Sequence, residues 1–107
     1  MSTLPLTKDD NGRTVESRQG DEIVLRLPEN ATTGYRWHID RADEQFEQTA
    51  DSYHPEPELR FGSGGVREFR FRARAAGTAR LELKHWQAWE GEGSVTDRFA
   101  VEIQIVD

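Results

Sequence analysis

The chain has 107 residues, and its 20 acidic against 14 basic side chains give a formal charge of -6, which argues against a phosphate backbone as partner. With no cysteine it has no disulfide framework, no thiol nucleophile and no Cys-based zinc site, yet it is long enough to bury one core without metal or cross-link. No apolar run approaches the roughly 20 residues of a membrane helix, and the N-terminus lacks the charged and apolar regions of a secretory leader. The expectation is one soluble domain over residues 1–107, periplasmic or secreted if a leader has been removed.

In chain order, Leu4 to Thr7 reads as a short strand, and Asp9-Asp10-Asn11-Gly12 carries the Asn-Gly pair that suits a tight hairpin, from which the chain returns through Thr14 to Ser17. After a turn at Gln19-Gly20-Asp21, Ile23, Leu25 and Leu27 alternate with Glu22, Val24 and Arg26, the period-two pattern of a half-buried strand ending at Pro28. Tyr35, Trp37 and Ile39 repeat the pattern against Arg36 and His38. Asp40 to Gln45 is polar enough for a loop or one helical turn, and Phe46 to Tyr53 is a weaker strand with its two aromatics toward the core. His54-Pro55-Glu56-Pro57 must be extended or turned, and reads as a connector between sheets.

Val66 to Ala73 puts Phe69, Phe71 and Ala73 on one side and Glu68, Arg70, Arg72 and Arg74 on the other, an arginine row that reads as a solvated face. Ala75-Ala76-Gly77 turns the chain into Thr78 to His85, with Leu81 and Leu83 inward. The last strand, about Thr96 to Ile105, points Phe99, Val101, Ile103 and Ile105 inward. About eight short strands without helical periodicity predict an all-β fold, an immunoglobulin-like antiparallel β-sandwich.

Three connections stand out. Asn30-Ala31-Thr32-Thr33-Gly34-Tyr35-Arg36-Trp37 is a short polar stretch pinned between two patterned strands, with β-branched threonines to restrict χ1 and Gly34 to permit a turn at positive φ. Phe61-Gly62-Ser63-Gly64-Gly65 offers backbone for close approach to another surface. Trp86 to Gly93 carries two of the three tryptophans in a polar, Gly-rich loop, and at least one of them reads as an apolar face offered to a partner. If the sandwich connects its strands as immunoglobulin domains do, the three loops gather at one end.

On these residues the chain resembles the chagasin-like inhibitors of papain-family cysteine proteases. The family's first loop reads asparagine-proline-threonine-threonine-glycine followed by an aromatic, met here by Asn30, Thr32, Thr33, Gly34 and Tyr35 with Ala31 in place of proline. Its second, glycine-X-glycine-glycine, is met by Gly62, Ser63, Gly64 and Gly65. Of its arginine-proline-tryptophan only Trp89 is kept, Gln87 and Ala88 standing at the other two positions. The order and spacing of the motifs carry the resemblance over nearly the whole chain.

The resemblance implies a monomeric, reversible, tight-binding inhibitor, with no cofactor and no metal, whose three loops form a wedge in the active-site cleft of a papain-like cysteine protease. The first loop would enter near the catalytic residues, while Gly64 and Gly65 grip one wall and Trp89 the other. Losing proline at positions 31 and 88 frees two φ angles in the unbound loops, and losing arginine at 87 removes a cation from the third. Nothing points to an enzyme, because His38, His54 and His85 lack metal-ligand spacing and no nucleophile motif accompanies them. The alternative is an immunoglobulin-like adhesion or carbohydrate-binding module, since this fold hosts many functions. Asn30-Ala31-Thr32 also reads as a glycosylation sequon, but a glycan there would obstruct the wedge.

Overall fold

The computed structural model describes residues 2–30, 33–55 and 64–107. Two four-stranded sheets face one another. The first is ordered β1 (Thr3–Leu6), β3 (Glu22–Pro28), β6 (Gly65–Ala73), β5 (Phe46–Pro55), and the second β2 (Thr14–Arg18), β8 (Asp97–Val106), β7 (Gly77–Trp86), β4 (Arg36–Ala42). This is immunoglobulin-like strand order, with β1 and β2 on the edges of opposite sheets and running in opposite directions, β1 along β3 and β2 along β8.

Alternation decides what faces inward. Ile23, Leu25 and Leu27 of β3, Phe69 and Phe71 of β6, Leu81 and Leu83 of β7, and Phe99, Val101, Ile103 and Ile105 of β8 are all buried in one cluster. Trp37 and Phe46 join it, as the period-two reading expects. At roughly 1.5–3 kcal/mol for each large apolar side chain removed from water, this layer supplies the main driving force for the fold.

Several expectations change. Asn11-Gly12 makes no hairpin, because β1 lies in the first sheet, parallel to β3, and β2 in the second, parallel to β8, so the chain crosses between sheets there instead of pairing with itself. The Asn11 side chain instead accepts the Ala100 N–H at 2.8 Å and the Gly12 N–H bonds the Ala100 carbonyl at 2.7 Å, which spends the turn residues on docking against β8. The other four pairings, β3 with β6, β5 with β6, β4 with β7 and β7 with β8, are antiparallel. Residues 40–42 continue β4 rather than starting a loop. Nor does the stretch from His54 connect two sheets: β5 runs to Pro55 and pairs with β6 of the same sheet, Pro55 opposite Gly65. Pro55 sits on an edge strand, where its missing donor is tolerated.

The arginine row is less solvated than alternation suggests. Glu68 is buried on the outer face, paired with Arg70 at 2.7 Å and Arg26 at 2.8 Å, and Arg70 reaches on to Glu22 at 2.9 Å. First Arg70 and then Arg26 hold the Glu68 carboxyl below its usual range.

Candidate functional site

The register puts three connections at one end of the sandwich. Pro28 lies opposite Val66, and Pro55 opposite Gly65, in the first sheet; Arg36 lies opposite Trp86, and His85 opposite Asp97, in the second. The connections after β3, β5 and β7 therefore leave from the same edge of the molecule.

Glu29 organises the floor beneath them. Its side chain is fully enclosed. One carboxylate oxygen accepts the Trp37 N–H at 2.8 Å, and the other accepts the Arg67 guanidinium at 2.7 and 3.0 Å. The Glu29 N–H donates to the Gly65 carbonyl at 3.1 Å, and the Tyr53 hydroxyl donates to the Glu29 carbonyl at 3.3 Å. Arg67 also pairs with Asp51 at 3.0 Å. One residue thus clamps the start of the first loop to its far end at Trp37 and to the strand leaving the second loop. The Trp37 indole N–H adds a bond to the Pro28 carbonyl at 2.9 Å.

This network is missed when the sequence is read by alternation, because a glutamate after a strand-ending proline looks like loop. The available signal was Arg67, which shares the inward parity of Phe69 and Phe71 and so needs a buried acceptor.

Within the first loop, Thr33 turns the chain: its N–H and its hydroxyl both donate to the Asn30 carbonyl, at 3.2 and 2.9 Å, while the hydroxyl oxygen accepts the Tyr35 N–H at 3.3 Å. Gly34 follows at φ +79°, a conformation that disfavours any Cβ. A Cβ there would also lie 2.6 Å from Cη2 of Trp89, so the indole sits directly against the glycine. Ala31 and Thr32 lie outside the described residues, as do Gly62 and Ser63 of the second loop. Gly65 is buried, and a Cβ on it would collide with the Tyr53 hydroxyl; Gly64 precedes it, half-buried.

The third loop holds itself without proline. Its 3-10 turns at Ala88–Glu90 and Glu92–Ser94 close on the Ser94 hydroxyl, which accepts the Gln87 N–H at 3.0 Å and lies within reach of the Gln87 and Gly91 carbonyls. Gln87 carries its side chain to the first loop and donates to the Thr33 carbonyl at 3.1 Å. The amide at the family's arginine position therefore serves as an internal strut. Trp89 is 69% exposed, a large apolar face at the outermost point of the loop.

Trp86 is not part of this loop. It ends β7 and turns to the outer face, where Lys84 Nζ lies 3.7 Å from its ring and His38 packs beside it at 5.6 Å. Lys84 is itself buried, bonded to Asp40 at 3.1 Å and Glu92 at 3.4 Å, so it braces the base of the third loop against the sheet. On the inner side, His85 stacks on Tyr35 at 5.4 Å and tilts against Trp37 at 5.1 Å. Among the described residues no group of acidic or histidine side chains is arranged to hold a metal ion, and no helix is long and apolar enough to cross a membrane.

A β-sandwich that spends buried charge and three aromatic contacts on fixing loops at one end, while leaving a tryptophan bare there, is built to present a surface. Residues 16–103 match the chagasin family of peptidase inhibitors, I42, and the chain belongs to that family. It is 30% identical over 101 residues to chagasin of Trypanosoma cruzi, covering 90% of this chain and 92% of that protein. The fold is also that of the cysteine protease inhibitor EhICP2 of Entamoeba histolytica, with a TM-score of 0.88 at 23% identity over 97% of this chain and 96% of that one. It is similar too to PbICP-C, whose structure is of a complex with falcipain-2, with a TM-score of 0.62 at 13% identity over 98% of this chain and 99% of that one.

Proposed function

We propose that this protein is a reversible, tight-binding inhibitor of papain-like cysteine proteases that acts as a single-domain monomer and is not an enzyme. Asn30, Ala31, Thr32, Thr33, Gly34 and Tyr35 enter the cleft; Gly62, Ser63, Gly64 and Gly65 approach one wall with bare backbone; Gln87, Ala88 and Trp89 cover the other. The turned backbone of the first loop presents no peptide bond in attack geometry, so the inhibitor blocks the cleft without being cut. An interface of this kind buries about 1,600 Å² and draws its affinity from a few anchors on loops already held in shape.

The observation that carries this reading is the joint between the first and third loops, with Gly34 against the Trp89 indole and Gln87 on the Thr33 carbonyl. It supports a wedge assembled before binding, which lowers the ordering cost that the missing prolines would otherwise raise.

The test is to titrate the protein against papain and a cathepsin with a fluorogenic substrate, then examine the inhibitor for cleavage. The expected result is saturable loss of activity with the chain intact. Full protease activity at micromolar inhibitor would overturn it and favour a non-inhibitory binding module. Full inhibition by material glycosylated at Asn30 would overturn the placement of the first loop.

A further inference from the structure

We propose that His85 is a positioning residue that joins the first loop to the third only while its ring is uncharged, so that the inhibitor loosens its grip on a protease in acid. This rests on the inhibitory reading above and adds a condition to it.

His85 occupies the inward position of β7 beyond Leu83, directly under the loops. One side of its ring meets Tyr35, at the end of the first loop, and Trp37, which follows it; its Nδ1 lies 2.8 Å from the Thr96 hydroxyl, just past the third. With that hydroxyl donating to the His85 carbonyl at 3.3 Å, Nδ1 takes the donor's part in the other contact, the tautomer this proposal assigns. Nε2 is then a bare lone pair, shut away from solvent with no hydrogen-bond partner among the described residues. An orphaned neutral acceptor is tolerable, whereas a charged N–H enclosed without an acceptor is far more costly.

The charges around the ring do not relieve this. Glu29 faces it from the end of β3, but its carboxylate is taken by Arg67 and the Trp37 N–H. Asp97, opposite on β8, is paired with Lys8 at 3.1 Å and accepts the Arg98 N–H at 2.8 Å. Lys8 itself lies 6.0 Å from the Trp37 ring, a further cation on that side. The first loop brings Tyr35 and β4 brings Trp37, whose faces attract a cation, though less than lost hydration repels one. In agreement, burial holds the His85 pKa below its ordinary value, with Glu29 and Asp97 acting in the opposite direction.

A protease seated on this end would remove the remaining water and disfavour the charged ring further. Binding would then expel a proton from any His85 that carries one, and affinity would fall by up to tenfold per pH unit. Because the shift is downward, the effect is absent at and above the ordinary imidazole value of about 6.5 and grows only as the pH falls through the lower value that His85 has in the free inhibitor.

The experiment measures the inhibition constant against papain from about pH 7.5 to 5 for the natural chain and His85→Phe, which keeps a ring but cannot titrate. The natural chain should weaken about fivefold more than the variant across that range; parallel profiles would overturn the proposal. Should His85→Phe not fold, long-range proton–nitrogen spectra of the free natural chain decide instead. An Nδ1–H tautomer titrating below a free imidazole supports the proposal, and an Nε2–H tautomer or an ordinary midpoint sinks it. No inhibition at any pH would overturn the inhibitory reading and this one with it, whereas strong inhibition with parallel profiles overturns only this one.

Discussion

The two ends of the sandwich each bury a carboxylate, and they use it differently. At the end away from the loops, Asp21 accepts the backbone N–H groups of Arg18 and Ser2, each at 3.0 Å, and the Ser17 hydroxyl at 3.4 Å, while its own carbonyl takes the Ala73 N–H. Its donors are neutral and mostly its immediate neighbours, so Asp21 closes a turn. At the loop end Glu29 meets a guanidinium 38 residues away and an N–H eight residues away. There the carboxylate couples segments that the chain does not otherwise join. A turn needs local satisfaction, whereas a binding surface made of separate loops needs a shared anchor.

Removing each anchor breaks the comparison most directly. Glu29→Ala leaves Arg67 enclosed with, among the described residues, only the carboxylate of Asp51 to face, and should cost about 3 kcal/mol in chemical denaturation. Adding Arg67→Met should return part of that loss, since no unpaired charge is then left inside. Asp21→Ala should cost less, because its orphaned N–H groups lie close to water. Equal losses at the two sites would remove the distinction.

The glycine beneath the loops and the tryptophan upon them come next. Gly65→Ala drives a methyl into the Tyr53 hydroxyl and should cost about 2 kcal/mol of stability, with Tyr53→Phe in the same chain relieving part of the clash. Trp89→Ala should do the reverse, weakening inhibition by about 2 kcal/mol, or roughly thirtyfold, with the unfolding midpoint little changed because most of the ring is in water and its contact with Gly34 joins two loops outside the core. An unaltered inhibition constant would take Trp89 out of the site.

What could be read from the sequence was whatever alternation governs. The buried rows Ile23-Leu25-Leu27, Phe69-Phe71 and Phe99-Val101-Ile103-Ile105 face inward as their period demands, and the order of the three motifs led to the family that residues 16–103 then matched. What escaped depended on contacts between distant segments. Asn11-Gly12 carries a hairpin signal, yet its hydrogen bonds go to Ala100, 88 residues beyond Gly12, which no local rule anticipates. Trp86 reads as a loop residue until β7 is seen to run one position further, turning the ring outward onto Lys84. Arg67, on the inward parity of β6, calls for a buried acceptor, but Glu29, just past the end of β3, is found to be that acceptor only when the register sets Pro28 opposite Val66.

The smallest expected effect sharpens the comparison from the quiet end. The Arg18 N–H foremost, then the Ser2 N–H, hold the Asp21 carboxyl below its ordinary value, while partial burial pulls the other way. A depressed carboxylate stabilises the fold above its unfolded value of about 3.9, and that contribution is lost as the pH falls through the lower folded value. Asp21→Asn keeps an acceptor for one N–H and cannot titrate, so it should lower the unfolding midpoint slightly at neutral pH and flatten its decline in the acid range. The inhibition constant at pH 7 should not move, because Asp21 lies across the sandwich from the loops. If Asp21→Asn weakened inhibition as much as Glu29→Gln, the anchors would be equivalent and the loop end would owe nothing special to its buried ion pair.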